Sequence, residues 1–143
     1  MIKNQLFKKH LSSWTIESQN ELFRKFADYC QTHDIVHSSG ILLEELFQRE
    51  SQGSSLIDEG FALPHVESSN VIKSAVILIR LDEPIVEWNH KDQFVKGVLF
   101  LVLKKGETTE NLVEIREIMK MLADETVIAG LLNGNQKIVN KLF

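Results

Sequence analysis

Cysteine is nearly absent from this sequence. Cys30 is the single one in 143 residues, so no internal disulfide can form, which fits a reducing compartment. Its helical surroundings mark it as a buried apolar position. Long apolar runs are missing too. The longest, Val98 to Leu103, is far too short to span a bilayer. The N-terminal stretch MIKNQLFKKHLSSW is basic but has no continuous apolar segment of the signal-peptide kind. Positive charge is not in excess. Sixteen Lys and Arg against twenty Asp and Glu give a formal net charge of −4, which argues against binding nucleic acid by neutralising phosphates. No repeat, low-complexity tract or linker interrupts the chain. These absences leave one soluble, cytoplasmic domain covering residues 1–143, with no direct membrane insertion. An apolar fraction of 43% and a charged fraction of 25% are ordinary for such a domain.

What is present is a regular alternation of periodicities. Residues 1–14 are ambiguous: Phe7, Leu11 and Trp14 either cover a core edge or belong to a partly frayed segment. Thr15 or Ser18 caps a first helix, whose buried stripe is Leu22, Phe23, Phe26, Ala27 and Cys30. His33 and His37 are four apart, but no HExxH and no third ligand accompanies them, so no metal site is expected. Ser38 or Ser39 caps a second helix with Leu42, Leu43, Leu46 and Phe47 inward. Phe61-Ala62-Leu63 reads as a short strand that Gly60 turns into. The residues after His65 read as a loop. Ser74 to Leu81 and Val95 to Leu103 are apolar and β-branched, as strands buried on both faces are. Asp82-Glu83-Pro84 reads as a turn, and Ile85 to Trp88 as a shorter strand. Thr108 or Thr109 caps a helix carrying Leu112, Ile115, Ile118, Met119 and Leu122. Asp124 caps another, which Asn133-Gly134 stops. A final helical turn or two runs from Gln136 to Leu142. The order predicts an α/β fold: a central mixed β-sheet of about five strands, sandwiched by helices on both faces.

The chemistry gathers between Arg49 and Glu67. A helix ends at Arg49, a Ser/Gly-rich loop follows, and a short apolar strand delivers His65 directly after Pro64. An imidazole with the ordinary pKa of about 6.5 is largely neutral near neutral pH. It then has one N–H and one lone pair. If a neighbour fixes the N–H, the lone pair can attack phosphorus or accept a proton. Pro64 fixes its own φ and pushes Leu63 toward extended geometry. Arg49 supplies a planar cation that grips phosphate through two parallel bonds. On the residues alone, Arg49 reads equally as a charge placed favourably at a helix C-terminus, and His65 as a turn residue.

Arg49-Glu50, then Ser54-Ser55, then Gly60-Phe61-Ala62-Leu63-Pro64-His65 resemble the phosphorylation site of the mannitol/fructose-type enzyme IIA family of the sugar phosphotransferase system. The likeness extends over nearly the whole chain through the order of flanking elements. Pro-His-X-Glu is also similar to the galactitol-like branch. Where that family commonly carries Thr-Gly, this chain has Ser55-Leu56, so the hydroxyl survives and the glycine does not.

The resemblance implies a phosphoryl relay. His65 is the nucleophile, accepting the group from the phosphohistidine of HPr and passing it to an enzyme IIB cysteine for sugar or polyol uptake. Arg49 binds the phosphoryl oxygens and Ser55 adds a hydroxyl. A carbonyl or carboxylate is expected on the non-attacking nitrogen. Transfer passes through a loose, in-line transition state, so the protein mainly positions groups and balances charge. No metal or cofactor is implied, because the donor is already an activated phosphoramidate. Many relatives carry a second histidine where this chain has Asn111. Asn111 retains a hydrogen-bonding amide at a helix start, where backbone N–H groups favour anions, but it exchanges no proton. A regulatory enzyme IIA-like module, whose His65 phosphorylation state signals to a partner, is the alternative.

Overall fold

Two long apolar strands dominate the computed structural model, which describes residues 5–143. β5 (Ala75–Ile85) and β6 (Val95–Lys104) pair antiparallel. Their side chains alternate between two separate cores. Ile77, Ile79, Phe100 and Val102 enter one core, and Val76, Leu78, Leu99 and Leu101 enter the other. A strand with both faces covered needs apolar residues at every position, and these two have them.

The first core is closed by α1 (Gln19–Thr32) and α2 (Ser39–Gln52). Phe26 stacks on Phe100 with centroids 3.7 Å apart, and Phe23 meets Trp88 and Phe100 edge-on. The second is closed by α3 (Thr109–Met121), α4 (Glu125–Asn133) and α5 (Gln136–Leu142) through Ile115, Ile118, Ile128, Leu131, Val139 and Leu142. Burying one such side chain stabilises by about 1.5–3 kcal/mol, against about 1 kcal/mol for a cap. The cores therefore hold the helices, and the caps set where they begin. Ser18, Ser38, Thr108 and Asp124 each accept a backbone N–H of the first turn through the side chain. Among the described residues no helix is long and apolar enough to cross a membrane.

The sheet is mixed and has six strands, in the order β1 (Phe7–Trp14), β5, β6, β3 (Gly60–Ala62) and β2 (Leu56–Asp58), with β4 (His65–Ser68) also on β6. The expected α/β sandwich with a mixed central sheet holds, and to the strands read from the sequence it adds β2, β4 and, parallel to β5 at the edge, β1. Of the segment 1–14, residues 1–4 lie outside the described residues. Phe7, Leu11 and Trp14 all pack on the first core. An offset of three would send Trp14 to the opposite face of a regular strand. Ser13, at φ 65°, breaks the register between Ser12 and Trp14 and turns Trp14 back.

Two other expectations need correcting. Asp82-Glu83-Pro84 is not a turn between strands, since β5 runs on to Ile85. The register with β6 shifts between Arg80 and Ile85, and that irregularity absorbs the proline, which has no N–H for the ladder. Trp88 is not in a strand. It opens a 3₁₀ turn, Trp88–His90, and is fully buried. The helices also come close to the sheet: a Cβ at Gly97 would lie 2.7 Å from Leu132 Cδ2 and 3.2 Å from Phe61 Cδ1, so any side chain there would have to displace both neighbours.

Candidate functional site

The strand that carries the histidine is split. β2 (Leu56–Asp58) turns at Gly60, φ 78°, into β3 (Gly60–Ala62), and β4 (His65–Ser68) follows after two residues. β3 and β4 both run parallel to β6. Ala62 faces Val98 and His65 faces Leu101, so the gap between them is equal on both strands and the register is kept. Pro64 lies in that gap. It has no N–H to contribute, but its carbonyl accepts the Leu101 N–H at 3.0 Å. The segment after His65, expected as a loop, is this short strand, anchored by Val66 and Ser68 while His65 and Glu67 are exposed.

His65 Nδ1 lies 3.2 Å from the Leu63 carbonyl oxygen. A carbonyl only accepts, so this contact holds the proton on Nδ1 and leaves the Nε2 lone pair for chemistry. A cleft of about 300 Å³ opens beside it, lined by Glu45, Gln48, Arg49, Gln52, His65, Val66 and Glu67. The α2 residues recur at three- and four-residue spacing, so one helix face supplies that wall. Arg49, in the last turn of α2, donates to the Gly53 carbonyl at 3.3 Å. The cleft thus brings His65 and Arg49 together.

Ser55 and Asn111 are placed elsewhere, and neither lines that cleft. The Ser55 hydroxyl donates to Glu50, as does its backbone N–H at 2.7 Å. Glu50 is only 9% exposed, and it also accepts the Asn89 amide at 2.8 Å. Asn89, at φ 58°, exchanges bonds of 3.0 and 3.1 Å with Gln19 and donates to Ser54 Oγ. One buried carboxylate therefore ties the end of α2, the 53–55 loop, the 3₁₀ turn and the start of α1 together. Nothing in the spacing assigns Glu50 this role; its only sequence signal is its place beside Arg49 and five residues before Ser55.

Asn111 is buried in the first turn of α3. Its N–H donates to Thr108 Oγ1 at 3.2 Å and its amide to Glu107 at 3.0 Å. Burial raises the Glu107 pKa, but bonds from Ser74, the Thr108 N–H and Asn111, with the Lys104 charge, outweigh it and hold the carboxyl below the ordinary range.

Known proteins share parts of this sequence and its fold. The chain is 30% identical over 99 residues to the 2-O-alpha-mannosyl-D-glycerate-specific EIIABC component of the phosphotransferase system of Escherichia coli. That stretch is 67% of this chain but only 15% of that component's length. The fold matches the nitrogen regulatory protein IIA-Ntr of Neisseria meningitidis with a TM-score of 0.71 at 20% identity, covering 92% of each chain. It also matches the complex of mannitol enzyme IIA with phosphorylated enzyme IIB from Escherichia coli, with a TM-score of 0.69 at 15% identity, over 92% of this chain and 94% of that one. The family model for the phosphoenolpyruvate-dependent sugar phosphotransferase system, EIIA 2, matches residues 5–142. A match that runs over residues 5–142 of 143 leaves no part of the fold outside it, and the chain belongs to that EIIA 2 family.

Proposed function

We propose that this chain is a cytoplasmic phosphocarrier and that His65 carries the phosphoryl group. Nε2 attacks the phosphorus of phospho-HPr. The N–P bond of the donor breaks as the Nε2–P bond forms, while the proton stays on Nδ1 and is donated to the Leu63 carbonyl. A cysteine thiolate of an enzyme IIB then attacks the same phosphorus, forming S–P and releasing neutral imidazole. Arg49 stabilises the charge on the equatorial oxygens. Ser55 acts through Glu50, by holding the loop whose Gly53 carbonyl anchors Arg49. Asn111 keeps the start of α3 in place beside Glu107.

The observation that carries this reading is the His65 Nδ1 contact to the Leu63 carbonyl, in a cleft shared with Arg49. That contact fixes the tautomer and points the reactive nitrogen away from the backbone. Incubation with enzyme I, HPr and labelled phosphoenolpyruvate tests it. Wild type takes up acid-labile label and His65→Ala takes up none. Equal labelling of the two, or no label on wild type, refutes it.

Transport of a sugar or polyol is the first reading of the purpose. The fold match to a nitrogen regulatory protein supports a second, in which phosphorylation of His65 is read by a partner. Passage of label to a candidate enzyme IIB cysteine distinguishes them: delivery supports transport, and retention of label with all candidates supports regulation.

A further inference from the structure

One carboxylate in the cleft has no visible purpose. Glu45 lines the same wall as Arg49, one helical turn before it, and its Oε1 is enclosed without a hydrogen-bond partner. Native proteins rarely leave an enclosed acceptor unpaired. Glu preceding a cation by four residues is the favourable order for a helical ion pair, and helical side chains lean toward the N-terminus, bringing the Arg49 stem toward Glu45. Yet Arg49 donates in the other direction, to the Gly53 carbonyl. The guanidinium therefore rests on the Gly53 carbonyl at the helix C-cap, while Glu45, one turn back on the same wall, offers it a second acceptor. With Glu67 on the opposite wall, the cleft holds two carboxylates against one guanidinium.

We propose that Glu45 is a positioning residue that competes with the phosphoryl group for Arg49, and so keeps phospho-His65 poised for onward transfer. The inference rests on the phosphocarrier reading. A carrier that gripped its phosphate with an unopposed arginine would accept readily and release slowly. Glu45 weakens that grip in two ways: it attracts the guanidinium after the phosphoryl group has left, and it repels the phosphoryl dianion while it is present. A like charge within about 4–6 Å shifts an ionic equilibrium by about tenfold or more.

The test equilibrates the protein with phospho-HPr, after enzyme I is removed, and measures the ratio of phosphorylated forms. Glu45→Gln keeps the shape and removes the charge. It is expected to shift the equilibrium about tenfold toward the phosphorylated protein, and the shift is expected to shrink in 1 M salt, where screening is short-ranged. Gln48→Glu, at an exposed position on the same wall, adds a charge and is expected to shift it the other way. Glu45→Gln within twofold of wild type, a shift indifferent to salt, or both variants moving together overturns the proposal. If Glu45→Gln does not fold, Glu45→Asp, which withdraws the carboxylate by one methylene, takes its place with a smaller shift in the same direction expected, and an unchanged equilibrium overturns the proposal. A wild type that takes no phosphoryl group at all refutes the carrier reading instead.

Discussion

Glu50→Ala is the most demanding test of how this site is held. The carboxylate accepts three hydrogen bonds, two from Ser55 and one from Asn89. The two from Ser55 are buried, so water does not replace them when the acceptor is removed. Hydrogen bonds to a charged partner are worth about 1.5–3 kcal/mol each. Taking the low end for the two buried bonds, and nothing for the part-buried Asn89 bond, gives a loss of about 3 kcal/mol. A domain of this size has roughly 5–15 kcal/mol in all, so the variant folds but with much less margin. The melting temperature is expected to fall by about 10 °C, at roughly 3 °C per kcal/mol for this chain length. Urea titration is the assay, and the midpoint should drop with the slope unchanged. Glu50→Gln retains one acceptor oxygen and should lose about half as much. Glu50→Ala within 1 kcal/mol of wild type would refute the assignment of the loop's rigidity to this one carboxylate.

Arg49→Ala is expected to slow phosphoryl transfer from HPr roughly 100-fold, the usual scale for removing one donor from a developing anion. Its circular dichroism and melting curve should match wild type, because the side chain is half-exposed and its described bond is to the Gly53 carbonyl. His10 on β1 makes stability depend on pH. Burial first, and then the Arg80 charge, lower its pKa below 6.5. Its neutral form is therefore favoured in the folded state, and the stability this contributes is complete above pH 6.5 and lost as pH falls through the lowered folded value. Wild type should lose midpoint stability between pH 7 and 5.5 to a greater extent than His10→Gln; parallel curves would refute it.

The parts of the fold legible in the sequence are those where one physical signal acts alone. Val98 to Leu103 reads as a buried strand because nothing else tolerates six apolar residues in a row with helices on both sides. Ser38 or Ser39, Thr108 or Thr109, and Asp124 read as caps because their oxygens compete for backbone N–H groups wherever a helix starts, and the structure selects Ser38 and Thr108 from the first two pairs. β1 was obscured because the three- and four-residue spacing of Phe7, Leu11 and Trp14 imitates a helix, and only the left-handed Ser13 reconciles it with a strand. Pro84 reads as punctuation, yet here it is taken up by an irregularity inside a strand. In the candidate site, chemistry alone leaves His65 readable as a turn residue and Arg49 as a helix-end charge; the family resemblance singles them out, and the fold sets both on one cleft. Glu50 is not legible, since its importance lies in partners as distant in sequence as Gln19 and Asn89. Ser55 shows the same limit from the other side: a hydroxyl in the right motif is committed to a neighbouring carboxylate.

The equal gap that β3, Pro64 and β4 keep along β6 makes the histidine a counted position. Residues in a strand alternate sides, so adding one between Ala62 and His65 would send the imidazole inward and Val66 out into the cleft. Loops at the rim can lengthen, shorten or change charge to suit a new partner without disturbing that count. Rim and imidazole are then free to vary separately: the edges can change, while His65 keeps an address set by β6, a strand packed between both cores.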